Sequence, residues 1–179
     1  PDFFPLGDRH VLMFSAWDNA PLDVIHQIGT YADHRFTPER EAITDYGRWY
    51  APQSFEDHQG RRIDWGWIRE GRTVAAQIAA GWSGAMALPR ILTLTPDGNL
   101  AATPAPELHS LRRAHRHFVG RQIAPGTPDL LDGATGAHLE LIATLDPGDA
   151  THCGLLVRRS PSTALDGSAC SAKAEIRRH

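Results

Sequence analysis

The chain has 179 residues, of which 41% are hydrophobic and 22% are charged, and its formal net charge is -3. These values are ordinary for a soluble globular protein that is long enough to bury a core. No block of like charge indicates a nucleic-acid or membrane partner, and no apolar run approaches the about 20 residues that span a bilayer. We therefore expect one domain or two small ones, with no nucleic acid and no membrane as partner.

Histidine and cysteine are present without the spacing that metal sites need. The chain has ten histidines and two cysteines, but no His-Glu-x-x-His or similar ligand pattern occurs. Cys153 and Cys170 are predicted to be free thiols, and a disulfide between them is the alternative. The basic cluster at 112–117 lacks the interleaved aromatic residues of a nucleic-acid surface and is interpreted as solvent-exposed. We expect no metal and no cofactor.

The first hundred residues show short apolar stretches separated by turn signals. Strands are predicted at residues 10–16, 23–32, 49–55, 62–69 and 86–94. Gly60 supplies a positive φ for one hairpin, and Thr-Pro-Asp-Gly-Asn at 95–99 is a strong turn. Strands joined by turns at intervals of about ten residues are typical of an antiparallel all-β sandwich, barrel or propeller.

The second half of the chain has weaker patterns. Residues 107–118 carry apolar residues at helical spacing and are predicted to form a short helix or linker. The Gly- and Pro-rich residues 121–136 are predicted to be a loop, and 138–146 and 152–158 are predicted strands that open a second β module. After residue 160 the composition shifts to Ser, Ala and basic residues without periodicity, which indicates disorder or a segment foreign to the domain.

Aromatic residues concentrate between residues 49 and 82, where Trp49, Trp65, Trp67 and Trp82 occur. In a strand, Trp65 and Trp67 point to the same face, and Gly66 leaves the opposite face open to a close neighbour. Core packing is the commoner role of a single tryptophan. An aromatic face beside charged groups also fits carbohydrate binding, because the C–H groups of a sugar pack well on an aromatic ring.

Asp45-Tyr46-Gly47-Arg48 is the second pattern of interest. Gly47 permits a bend that would bring Asp45 and Arg48 together as a bidentate pair able to bind a hydroxyl-rich ligand. The alternative is a surface ion pair worth about 0–1 kcal/mol. No Ser-His-Asp order, phosphate-binding loop or paired-carboxylate motif accompanies it. The residues alone thus predict an all-β domain with a sugar-binding face, and no reaction.

Several segments resemble glycoside hydrolase family 32 in their order and approximate spacing. They are PDFFPL at 1–6, DYGR at 45–48, YAPQSF at 50–55, GRRIDWGW at 60–67 and GWSGAMALPR at 81–90. The resemblance extends over about residues 1–158. It implies a five-bladed β-propeller followed by a β-sandwich. On that template, residues 1–105 are the end of blade 3 with blades 4 and 5, 106–120 are a linker, 121–160 are a truncated sandwich and 161–179 are a disordered tail.

The resemblance also implies an activity. Family members are retaining β-fructosidases that use a carboxylate nucleophile and a carboxylic acid about 5–5.5 Å apart. Their substrates are terminal β-D-fructofuranosides such as sucrose, sucrose phosphate, levan or inulin. The nucleophile Asp, a second Asp that holds the fructosyl hydroxyls, and the acid Glu of a Glu-Cys-Pro-Asp motif would all precede Pro1. No catalytic residue of this chain is therefore assigned.

Binding residues carry over by position. Asp45 and Arg48 match the element that holds the leaving glucose side of sucrose, which favours sucrose as the substrate. Trp82 matches a tryptophan that borders the fructose pocket. Asp2 follows the acid and is expected to support it, with a structural hydrogen bond as the alternative, and Pro89-Arg90 is expected to anchor the last blade. A non-catalytic or degenerate carbohydrate-binding protein remains the alternative function. Cytoplasmic and secreted locations and all oligomeric states stay open.

Overall fold

A computed structural model describes residues 1–16, 23–113, 116–118, 140–146, 148, 155–156 and 171–172. The chain divides into two compact units, Pro1–Leu111 and Arg112–His179. Within the described ranges, none of the helices has the length and apolar character needed to cross a membrane.

Four antiparallel strands in chain order form the first sheet. They are β1 (Asp2–Leu6), β2 (Arg9–Ser15), β3 (Val24–Ala32) and β4 (Arg35–Asp45). A two-residue turn joins β3 to β4, where Ala32 pairs with Arg35 and both turn residues have positive φ, 50° at Asp33 and 58° at His34. Two residues of positive φ match the right-handed twist of the flanking strands.

The second sheet follows and is also antiparallel. It contains β5 (Trp49–Glu56), β6 (Arg62–Ile68), β7 (Ala85–Met86), β8 (Arg90–Leu94) and β9 (Leu100–Pro104), in the order β5-β6-β8-β9 with β7 paired to β6. The hairpin turns use Gly60 at φ 74°, as the sequence predicts, and Gly98 at φ 79° within the turn predicted at 95–99. Helix α1 (Val74–Ala80) lies between β6 and β7; the Thr73 hydroxyl accepts from the Ala76 N–H, and Gly81 at φ 75° ends the helix.

The core joins the two sheets. Phe4, Val11, Met13 and Ile28 of the first sheet are buried in one cluster with Leu92 of the second. Full burial of such a side chain contributes about 1.5–3 kcal/mol, so this cluster holds the sheets face to face.

The antiparallel all-β prediction is confirmed, and so are the strands predicted at 10–16, 23–32, 49–55 and 62–69, to within a residue or so at each end. The prediction of one strand over 86–94 is wrong. The chain leaves the sheet between β7 and β8, where Pro89 has no N–H to donate to a neighbouring strand.

Where a short helix or linker is predicted over 107–118, a 3-10 helix spans Pro106–Leu111 and the described residues 112–113 and 116–118 are not helical; the linker stays a prediction. Strand β4 and helix α1 are not among the elements predicted from the sequence. The described residues of the basic cluster, such as Arg113 and Arg116, are exposed as expected.

Few residues of the second unit are described. Residues 140–146 form no strand, contrary to the prediction for 138–146; a strand needs a partner backbone, and the described ranges hold none for it. One short pairing joins β10 (Leu155–Leu156) to β11 (Ser171–Ala172). The loop at 121–136, both cysteines and most of the predicted sandwich and tail lie outside the described residues, and the predicted domain boundaries stay predictions.

Candidate functional site

Asp45 is the last residue of β4, and its carboxylate is held from two sides. Oδ1 accepts the Gly47 N–H at 2.7 Å, which closes a tight turn, and Oδ2 accepts Nη1 of Arg90 at 2.9 Å. The expected pairing of Asp45 with Arg48 is therefore wrong. Arg48 instead turns toward the end of β6, where its Nη1 donates to the Glu70 carbonyl at 3.2 Å.

Arg90 of β8 lies at the junction of the two sheets. Besides Asp45 it binds Asp64 of β6, with Nη2 at 3.0 Å and Nε at 3.3 Å from Oδ2. Its guanidinium carbon lies 4.0 Å from the ring centroid of Trp49, a cation–π distance. Arg90 thus ties β4 to the second sheet, and the anchoring of a last blade by Pro89-Arg90 stays a prediction.

Asp64 is fully buried, which is unusual for a carboxylate. Burial raises the pKa of Asp64 to about 6, against the lowering effect of Arg90, and the negative charges of Asp2 and Asp45 raise it further. Asp64 Oδ1 and Asp2 Oδ2 are buried and have no hydrogen-bond partner among the described residues. One carboxylate oxygen of Asp2 therefore makes no hydrogen bond within the described residues. The expected support of a neighbouring acid by Asp2 stays a prediction.

The two faces of β6 have the roles that the Trp65-Gly66-Trp67 pattern predicts. Trp65 stacks on Phe55 with ring centroids 5.5 Å apart, and Trp67 is half-exposed on the same face. On the other face the indole of Trp49 covers Gly66 so closely that a Cβ there would lie 2.0 Å from Nε1. The glycine is required for this contact.

Trp82 follows α1 and is held by a network around Glu70. The Glu70 carboxylate accepts the N–H groups of Gly71, Arg72 and Gly84 together with Nε and Nη2 of Arg72. The Arg72 side chain comes first among the causes that lower the pKa of Glu70.

Arg72 in turn contacts the tryptophan. It donates Nη2 to the Trp82 carbonyl at 2.9 Å and lies 3.8 Å from the indole centroid, while Trp82 stays 57% exposed. Glu70, Arg72 and Asp64 are not among the site residues predicted from the sequence. The only sequence feature that could have indicated this network is the spacing of two residues between the acidic Glu70 and the basic Arg72.

Within the described ranges, no group of three or more His, Cys, Asp or Glu side chains is placed to hold a metal ion.

Comparison with known proteins identifies the fold and the family. Residues 1–104 match the model of the glycosyl hydrolases family 32 N-terminal domain. The chain belongs to glycosyl hydrolase family 32. The family that the motifs indicate is thereby confirmed.

Three relatives of this GH32 chain show what the family includes. Sucrose-6-phosphate hydrolase of Escherichia coli is 32% identical, covering 87% of this chain and 34% of the relative. An acid beta-fructofuranosidase of Vigna radiata var. radiata is 33% identical over 81% of this chain and 26% of its own length. Fructan 6-exohydrolase of Beta vulgaris is 35% identical over 71% of this chain and 25% of its own length. The GH32 chain thus spans about a quarter to a third of these relatives.

Solved structures agree. Fructan 1-exohydrolase IIa from Cichorium intybus superposes with a TM-score of 0.54 at 30% identity, over 59% of this chain and 21% of that one. A GH32 beta-fructofuranosidase of Bombyx mori superposes with a TM-score of 0.57 at 23% identity, over 65% of this chain and 27% of that one. At this identity the likeness supports the fold alone. These neighbours have a β-propeller as N-terminal domain, which confirms the propeller fold class. The assignment of residues 1–105 to particular blades stays a prediction.

Proposed function

We propose that the complete gene product is a retaining β-fructosidase that releases fructose from terminal β-D-fructofuranosides, and that residues 1–104 contribute sugar contacts to its site. The observation that carries the proposal is the family match over those residues, together with relatives named as β-fructofuranosidases, a sucrose-6-phosphate hydrolase and a fructan exohydrolase. The nucleophile and the acid are not assigned to this chain.

Asp45 supports the proposal through its geometry. Each oxygen already accepts one hydrogen bond, from Gly47 or from Arg90, so the carboxylate has a defined orientation. A carboxylate oxygen has two lone pairs, which leaves capacity for sugar hydroxyls. The side chain is 26% exposed, so a ligand can reach it. Arg48 lies exposed three residues later, and we assign it to the same side of the ligand.

Trp82 supports the proposal through its exposure. Arg72 lies over the indole and fixes it, while more than half of the residue remains accessible. A fixed aromatic ring loses little rotamer entropy when a sugar packs against it. We therefore assign Trp82 to the border of the fructose pocket.

The substrate is tested by assaying the complete gene product for fructose release from sucrose, sucrose 6-phosphate, levan and inulin. We expect the highest kcat/KM on sucrose. If sugars bind but none of the four is hydrolysed, the protein is a carbohydrate-binding member without the activity, and the proposal is wrong.

The role of Asp45 is tested by its replacement with alanine. We expect Asp45→Ala to reduce kcat/KM for sucrose more than for long fructans, whose remote sugars bind elsewhere. The matched control is Asp8→Ala, since Asp8 is an 86% exposed aspartate at the far end of the first sheet. Equal losses on both substrates would mean that Asp45 serves the scaffold and not the sugar.

A further inference from the structure

A single guanidinium at the junction of the two sheets serves two carboxylates. Arg90 gives Nη1 to Asp45, while Nη2 and Nε both go to one oxygen of Asp64. Trp49 covers the guanidinium at 4.0 Å. The position of Arg90 is thus set by three groups, and its one positive charge is divided between two negative ones.

The charges around this guanidinium do not balance. Arg90 of β8 hydrogen-bonds to Asp45 and to Asp64, so two carboxylates share one cation, and the charge of Asp2 of β1 adds to that of Asp45 in raising the pKa of Asp64. Asp64 is fully buried, and its Oδ1 has no partner within the described residues. A buried charge that is only partly paired is costly, and the usual relief is the uptake of a proton. Asp64 is the carboxyl best placed to take it, and its pKa is raised to about 6, chiefly by burial.

We infer that Arg90 is a positioning residue for Asp45 and that Asp64, by taking up or releasing a proton, decides how firmly Arg90 holds it. When Asp64 is protonated, the guanidinium charge is directed at Asp45 alone. When Asp64 is ionised, it competes with Asp45 for the positive charge of the same guanidinium, and the sugar-facing carboxylate is held less firmly. Sugar binding is therefore expected to weaken as pH rises through about 6. This inference rests on the proposed function, because it takes Asp45 as a sugar contact.

The test compares KM and kcat for sucrose at about pH 5 and about pH 7.5 in the complete gene product. In the wild type KM should rise with pH, and in Asp64→Asn, which cannot ionise, it should stay low at both values. Arg90→Lys keeps the charge and loses the fork geometry, so it should raise KM by about tenfold, the usual effect of one charge-assisted hydrogen bond, with kcat within about twofold. Asp8→Asn is the control for the loss of one aspartate charge and should behave as wild type.

Asp45→Asn separates failure of the inference from failure of the proposed function. If Asp45→Asn leaves KM unchanged, Asp45 does not contact sugar and the proposed role of that residue is wrong. If Asp45→Asn raises KM but Asp64→Asn and Arg90→Lys leave KM and its pH dependence as in wild type, the inference is overturned.

A second readout needs no activity. Asp64 holds its proton more tightly in the folded state, so its contribution to stability is complete below the unfolded pKa of about 4 and is lost as pH rises through about 6. His26 has a pKa lowered by burial and gives the opposite slope, stabilising above its usual pKa of 6.5. That slope cancels when wild type is compared with Asp64→Asn. The urea midpoint of the wild type should fall relative to the variant between about pH 4.5 and about pH 7.5. Parallel curves would overturn the inference whatever the enzyme assay gives.

Discussion

Replacing Gly66 by alanine should destabilise the protein, because the space beside its Cα is filled by Trp49. The added Cβ would lie 2.0 Å from Nε1, 2.3 Å from Cε2 and 2.6 Å from Cδ1 of the indole. A Cβ essentially never lies closer than 3.0 Å to another heavy atom, so either the Trp49 ring or strand β6 must move by about 1 Å. The indole has little freedom to move, since Trp49 is 5% exposed and Arg90 lies over its ring at 4.0 Å.

The magnitude follows from two opposing effects. Overpacking of a core typically costs about 1–3 kcal/mol, and complete displacement of a buried tryptophan costs about 3–5 kcal/mol. The loss of backbone freedom in the unfolded chain returns about 0.4–1 kcal/mol. We expect a net loss of about 2 kcal/mol, which at an m-value of about 2 kcal/mol/M lowers the urea midpoint by about 1 M.

The assay is urea unfolding of the complete gene product, followed by tryptophan fluorescence. Gly71→Ala is the matched control, since a Cβ there lies 3.2 Å from the end of the flexible Arg48 side chain; its effect should stay within about 0.5 kcal/mol. Trp49→Ala removes the three clashing ring atoms, so the double variant with Gly66→Ala should lose less stability than the sum of the two single variants. Strict additivity, or a Gly66→Ala midpoint equal to that of the control, would refute the steric reasoning.

Three further predictions concern function and behaviour in solution. Trp82→Ala in a folded complete gene product should lower kcat/KM for sucrose by about tenfold or more, or about 1.4 kcal/mol, and unchanged kinetics would remove Trp82 from the pocket. Arg72→Lys should raise KM without a comparable fall in kcat, because the planar guanidinium over the indole is lost. A change in KM no larger than that of the exposed control Arg113→Lys would contradict this. The 179-residue chain alone should release no fructose from sucrose. It should also bind a hydrophobic dye, because the first sheet exposes rings such as Phe3 and Tyr31. Sucrose hydrolysis with a cooperative unfolding transition would contradict both expectations.

Much of the strand pattern could be read from local sequence. Strands β2, β3, β5 and β6 are apolar stretches bounded by turn residues, Gly60 adopts the positive φ expected of it, and the turn predicted at 95–99 is present. The two-residue period of a strand also places Trp65 and Trp67 on the face opposite the contact at Gly66. Side-chain alternation and glycine conformation are properties of a few consecutive residues, which is why the sequence alone determined them.

Strand β4 and helix α1 could not be read this way. Strand β4 is almost wholly exposed and rich in charge, as in Glu39-Arg40-Glu41, and its leading turn is Asp33-His34 in place of the usual Asn-Gly. It is a strand because the N–H and C=O groups of β3 need partners on that side. Helix α1 buries no residue and has seven residues, too few for a hydrophobic period to be recognised.

The site divides in the same way. The sequence alone, through its motifs, determined the family and singled out Asp45, Arg48 and Trp82, because these residues stand within short segments of recognisable order. Their partners were decided by the tertiary structure: Asp45 pairs with Arg90, 45 residues along the chain, and not with its near neighbour Arg48. An ion pair forms between groups that packing brings within reach, and only the contact between the two sheets brings Asp45, at the end of β4, within reach of Arg90. The burial that raises the pKa of Asp64 has the same origin, since no local pattern tells which face of β6 the neighbouring sheet will cover.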